Sequence, residues 1–181
     1  MNVKQLRFSA LAAVLVAGTA SGQTTVATST GDGGSPHVKS TWTIRGATIS
    51  IEYGRPSLKA RAESQMMPAG QPWRTGADVA TIITTDKPLT FGSTTLAPGS
   101  YTINTEPGDK AWHLLLGTLG SPKQWGIPYL PDLEIARVPM KVEHAAPSVE
   151  QLTIAIVPGQ TPSLRIAWGH TAASVPFRVG S

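Results

Sequence analysis

Four cations, one acid and one indole lie close together in the first half of the chain. Arg55, Lys59 and Arg61 fall in the stretch Tyr53-Gly-Arg-Pro-Ser-Leu-Lys-Ala-Arg61. Trp73, Arg74 and Asp78 fall in Pro72-Trp-Arg-Thr-Gly-Ala-Asp-Val-Ala-Thr81. A guanidinium is a planar fork of donors that matches a carboxylate or phosphate with two parallel hydrogen bonds. Trp73 offers a flat apolar wall. Asp78 can orient an arginine or accept a ligand hydroxyl. Together they suit a small anionic or sugar-like ligand. Trp125, in the proline-rich stretch Ser121–Pro131, is a second aromatic candidate. A structural role competes with binding. Irregular loops leave carbonyls that need donors, and Arg55 and Arg74 can supply them or pair with Glu52 or Asp78.

Other chemistries find less support. His37, His113, His144 and His170 are dispersed, without the close spacing of a helix-borne metal motif. There are no cysteines, so thiolate ligands and thiol nucleophiles are absent. No Gly-x-Ser-x-Gly elbow occurs. Glu52, Glu63 and Asp78 could form a carboxylate pair, but sequence does not give their separation. Gly31-Asp-Gly-Gly34 follows no recognisable strand, so it does not read as a phosphate loop. No metal, no cofactor and no specific catalytic residue is expected.

These residues sit in a chain of 181 with 14% charged residues, 18 Gly and 15 Pro. Low charge excludes a charge-rich disordered chain; abundant Gly and Pro mean many turns. Residues 1–20 carry Lys4 and Arg7, an apolar run from Phe8 to Ala17, and small residues at Gly18 and Ala20. This is the pattern of a cleaved export signal. Cleavage is expected after Ala20, leaving a periplasmic or extracellular protein without a stable membrane anchor. Without that segment, 13 basic residues face 11 acidic ones, a net charge of +2. Nucleic acid is not an expected partner, since that needs a concentrated basic face. Residues 21–35 are small and polar without a period, and read as a disordered leader.

Residues 36–181 read as one β domain. From Ala47 to Tyr53 apolar and polar residues alternate, and His37–Ile44 places Val38, Ser40, Trp42 and Ile44 on one face. Arg45-Gly46 between them predicts a hairpin turn. A short helix is expected over Leu58–Met66, capped by Ser57 and stopped by Pro68. Further strands are expected at Val79–Thr85, Leu89–Phe91, Thr94–Leu96, Ser100–Thr105, Ala111–Gly117, Leu133–Glu143, Val149–Val157, Ser163–Trp168 and Ser174–Val179. Pro139 argues for an edge or a bulge. Short strands with Gly/Pro punctuation predict an all-β, antiparallel sandwich or jelly-roll-like barrel with one short helix.

The two cationic stretches also carry a resemblance. With Leu96-Ala-Pro-Gly-Ser-Tyr101, Trp112, Trp125-Gly126 and the ending Trp168–Pro176, the chain resembles the bacterial exported domain-of-unknown-function 2911 family. That family shows Tyr-Ser-Arg-Pro, Lys-Gly-Arg and Trp-Arg-Thr-Gly-Ala-Asn in the same order. Here Ala60 stands for the glycine and Asp78 for the asparagine. The resemblance implies an exported all-β domain and no established activity. The expected function is a binding or scaffold module. Enzymatic activity is left open. One alternative is a hydrolase of cell-envelope or glycan metabolism. The other is a protein–protein interaction module with an apolar patch around Trp125, Ile127 and Tyr129. Oligomeric state is not assigned.

Overall fold

The computed structural model describes residues 22–108, 110–119 and 129–181. The proposed signal segment and Trp125 lie outside them. The described residues are all-β. Ten strands form one antiparallel sheet: β1 (Thr24–Thr30), β2 (Pro36–Ile44), β3 (Ala47–Gly54), β4 (Ala77–Thr85), β5 (Leu89–Phe91), β6 (Thr94–Leu96), β7 (Gly99–Glu106), β8 (Trp112–Thr118), β9 (Glu134–Val157) and β10 (Ser163–Val179). Their order is β1-β2-β3-β4-β7-β8-β9-β10-β5-β6.

The alternation in β3 is the simplest link from sequence to packing. Ala47, Ile49, Ile51 and Tyr53 are buried while Thr48 and Glu52 are exposed. Their partners in β2 are Ile44, Trp42, Ser40 and Val38, so two buried faces meet in register. Each fully buried Ile or Leu contributes about 1.5–3 kcal/mol. One core cluster joins Ile49, Ile51 and Ile83 to Leu152, Ile166 and Phe177. The sheet therefore folds over onto itself, like a sandwich with the core between its two halves.

β9 and β10 make that fold-over. Sequence reading divides each into two strands; each is continuous in the structure. Val157 to Thr153 of β9 pair with Ser163 to Ala167 of β10, but His144 to Lys141 pair with Thr171 to Ser174 after two register shifts. The extra β9 residues bulge out, and bulged strands bend. Gly169 takes φ +63° at the bend, and a Cβ there would lie 2.1 Å from the Glu63 carboxylate. Pro139 falls where β9 pairs with β8, beyond its last pair with β10, a place where a missing donor is tolerated.

Two expectations need correction. The presumed leader is not disordered throughout: Thr24–Thr30 pairs with β2 as an edge strand. Its Thr and Val residues favour extended backbone, yet nearly all are exposed, so no burial period marks the strand. The helix α1 is a single turn, Glu63–Met66, entered from Ala62. Ser57 does not cap it. Ser57 bridges to Gln151 of β9, while Leu58 N–H donates to Glu150 O at 3.0 Å and Leu152 N–H to Pro56 O at 2.9 Å. Sheet pairing thus takes the residues expected to begin the helix.

Candidate functional site

The segment after β3 and the segment before β4 line one cleft of about 550 Å³. It brings together Arg55, Lys59, Arg61, Trp73, Arg74 and Asp78. Each is placed by a definite backbone device.

Arg55 follows the last residue of β3, and its N–H donates to Pro36 O at 2.8 Å. Its Nε donates to Leu152 O at 3.0 Å and its Nη2 to Thr153 Oγ1 at 3.1 Å. These bonds tie the end of β3 to β9. Lys59 and Ala60 then take left-handed conformations, φ +50° and +62°. The turn directs Arg61 back over it: Nε donates to Leu58 O at 2.8 Å and Nη2 to Ser57 O at 2.6 Å. Lys59 N–H donates to the Glu150 carboxylate at 2.9 Å.

The second segment hangs on buried threonines. Trp73 exchanges backbone hydrogen bonds with Thr105 of β7, at 2.7 and 2.9 Å. Thr75, fully buried with φ +56°, shares a hydroxyl hydrogen bond with Thr105 at 3.0 Å. Thr81 Oγ1 donates to Thr75 O at 3.0 Å. Trp73 stacks on Trp168 of β10, ring centres 5.6 Å apart and planes 13° from parallel. Trp168 itself is pinned by Nε1–H donating to Glu150 O at 3.1 Å. Arg74 Nη1 donates to Asp78 O at 2.9 Å.

The arginines thus serve partly in the structural role. Each is anchored to backbone by some of its donors, while other donors (Nη1 on Arg55 and Arg61, Nε and Nη2 on Arg74) have no protein partner among the described residues. Among those residues none of the four cations forms an ion pair with a carboxylate. The cleft is therefore cationic, with fixed and unused donors.

Asp78 is the one acid among the described lining residues. Its carboxylate meets His37, not an arginine: the His37 Nε2–H donates to Asp78 Oδ2 at 2.9 Å. Sequence reading missed this pair. The register explains it, since His37 pairs with Gly54 and Gly54 with Ala77 across three strands. A Cβ on Gly54 would lie 2.3 Å from Ala77 O and 3.2 Å from the His37 ring. The glycine lets the two side chains meet above it. A glycine closing a strand beside a candidate site was the available signal.

Other expected residues are placed elsewhere. Glu63 accepts from His170 N–H and from Thr171 Oγ1, both at 2.6 Å, so it fastens α1 to β10. Glu52 is exposed on β3. Neither lines the cleft with Asp78. Trp42 and Trp112 are buried in the core, whereas Trp168, also buried, is among the residues that line the cleft. Gly33, Gly34 and Ser35, assigned above to a leader, form part of the cleft wall.

A second polar group lies on the β7–β8–β9 surface. Arg137 bonds Glu134 at 3.1 Å and Glu106 at 2.8 Å, and the Tyr129 hydroxyl donates to Glu134. Partial burial raises the Glu134 pKa, but the hydrogen bonds from Arg137 and Tyr129 outweigh it and hold the carboxyl below its ordinary value.

Fold and site together define an all-β domain with a cationic, tryptophan-walled cleft where β3 ends and β4 begins. The chain belongs to the DUF2911 family, a family of unknown function whose model matches residues 35–177. No curated protein and no solved structure matches it.

Proposed function

We propose that this is an exported binding domain that holds a small anionic ligand in the cleft between Arg55, Lys59, Arg61 and Arg74. The observation that carries this reading is four cations around one cleft, none in an ion pair with a carboxylate among the described residues, with guanidinium donors unused among those residues and pre-positioned by backbone anchors. Anchoring reduces the ordering cost of binding, and each charge-assisted hydrogen bond contributes about 1.5–3 kcal/mol. Export rests on the signal pattern of residues 1–20.

The test is a thermal-shift titration of the purified protein with inorganic phosphate, sulfate and citrate, beside Lys59→Gln. The Lys59 side chain makes no hydrogen bond among the described residues, so the variant should melt like wild type without ligand. An anion at a hundredfold excess over its Kd should add about 2.7 kcal/mol to wild-type stability. Lys59→Gln should need about tenfold more anion for the same shift. No shift with any of the three anions contradicts the reading.

The His37–Asp78 pair supports a second reading, in which Asp78 serves a hydrolase as general base. A carboxylate and a histidine do converge, but among the described residues no second acid lines the cleft, so binding is the better supported reading. Turnover of nitrophenyl phosphates, esters or glycosides that is lost in Asp78→Asn would reverse the order.

A further inference from the structure

Asp78 sits oddly in a cleft made for an anion. As the one carboxylate among the described lining residues, it repels any simple anion that enters. The fold nevertheless holds it with care. Its backbone is left-handed, φ +64°. Its carbonyl is held by Arg74 and its Oδ2 by His37, which is 8% exposed. Gly31 presses against it so closely that a Cβ there would lie 1.8 Å from Oδ2. Oδ1 has no protein partner among the described residues. The result is one fixed, unused acceptor among fixed, unused donors.

A ligand complementary to that pattern carries an anionic group and also a hydrogen-bond donor. The third element is flat: Trp73 is half-buried, lines the cleft, and is fixed by its stack on Trp168. We propose that the cleft takes an anionic sugar, a pyranose bearing a carboxylate or a phosphate. This rests on the anion-binding reading above and deepens it. The anionic group lies on the guanidinium donors, a ring hydroxyl donates to Asp78 Oδ1, and the apolar face of the ring lies along Trp73. The hydroxyl turns the repulsive carboxylate into a charge-assisted acceptor. The cleft's volume of about 550 Å³ falls within the ~300–1,000 Å³ usual for small-molecule sites.

The test is calorimetric titration of the protein with glucuronate, glucose 6-phosphate, glucose and inorganic phosphate. At least one sugar anion should bind tenfold or more tightly than both glucose and phosphate, and which one identifies the anionic group. Asp78→Asn keeps the side-chain shape and tolerates left-handed backbone. It should weaken the preferred sugar anion about tenfold and leave phosphate binding equal or tighter, because a negative charge has gone. Trp73→Leu should likewise weaken the sugar anion more than phosphate, and provides the test if Asp78→Asn does not fold. Phosphate binding as tightly as the sugar anions overturns this proposal but leaves the anion-binding reading intact. A loss of phosphate and sugar anion alike in folded Asp78→Asn also overturns it, since Asp78 then only positions the cleft. Glucose binding as tightly as the sugar anions, or no binding of any probe, overturns both.

Discussion

Ala60 is an alanine in a conformation that suits glycine. Its φ is +62°, in the left-handed region that costs an L-residue about 1–2 kcal/mol. Its side chain is exposed, so removing the methyl sacrifices little packing. Ala60→Gly relieves the strain but gives the unfolded chain more freedom, which costs about 0.4–1 kcal/mol. The difference predicts a gain of about 0.5–1 kcal/mol. For a protein of this size that is a Tm increase of about 2 °C. Urea unfolding at pH 7 gives the free energy and scanning calorimetry the Tm. A Tm lowered by the substitution would refute the argument, because it would mean that the loop between Lys59 and Arg61 carries no left-handed strain in solution. The Lys-Gly-Arg pattern of the family has glycine at this position, the residue such a backbone favours.

Further outcomes follow from the same geometry. Tyr53 is buried, and its hydroxyl accepts the Ile154 N–H at 3.0 Å; Tyr53→Phe leaves that donor unpaired and should cost about 1–3 kcal/mol in urea unfolding. Burial raises the Tyr53 pKa above 10.0. Its contribution is therefore complete below pH 10 and is lost as pH rises above it, and the phenylalanine variant should lose less stability between pH 9 and 11; an equal loss would contradict this. Gly54→Ala should destabilise severely, because its Cβ would meet Ala77 backbone at 2.3 Å; a wild-type Tm would show that β3 and β4 do not approach as described. Glu134 has a folded pKa below its ordinary 4.5, so its contribution is present above pH 4.5 and lost as pH falls further. The stability gap between wild type and Glu134→Gln should shrink between pH 6 and pH 3; a gap that widens would reverse the sign.

The β2–β3 hairpin was legible because one face of each strand is buried and the other wet, which imposes a period of two. The edge strand β1 was not, because strands exposed on both faces carry no such period. The long β9 read as two strands because it bulges between His144 and Thr153 at the bend, where two register shifts erase the alternation. The expected helix shrank to one turn because Pro56–Leu58 pairs with β9, a tertiary contact that local propensity does not register. The cationic cleft was partly legible, as side-chain chemistry concentrated in two stretches that irregular backbone would present. What was hidden depended on strand register: Trp168 beneath Trp73 belongs to β10, far along the chain, and His37 reaches Asp78 only across Gly54.

The most direct test of the anion-binding cleft is calorimetric titration of inorganic phosphate into wild type and into the double variant Lys59→Gln/Arg74→Gln. The account predicts saturable one-site binding to wild type that weakens as salt is added. It predicts binding at least tenfold weaker in a double variant that still unfolds cooperatively. Equal affinity in the two proteins would place the anion elsewhere and contradict the account.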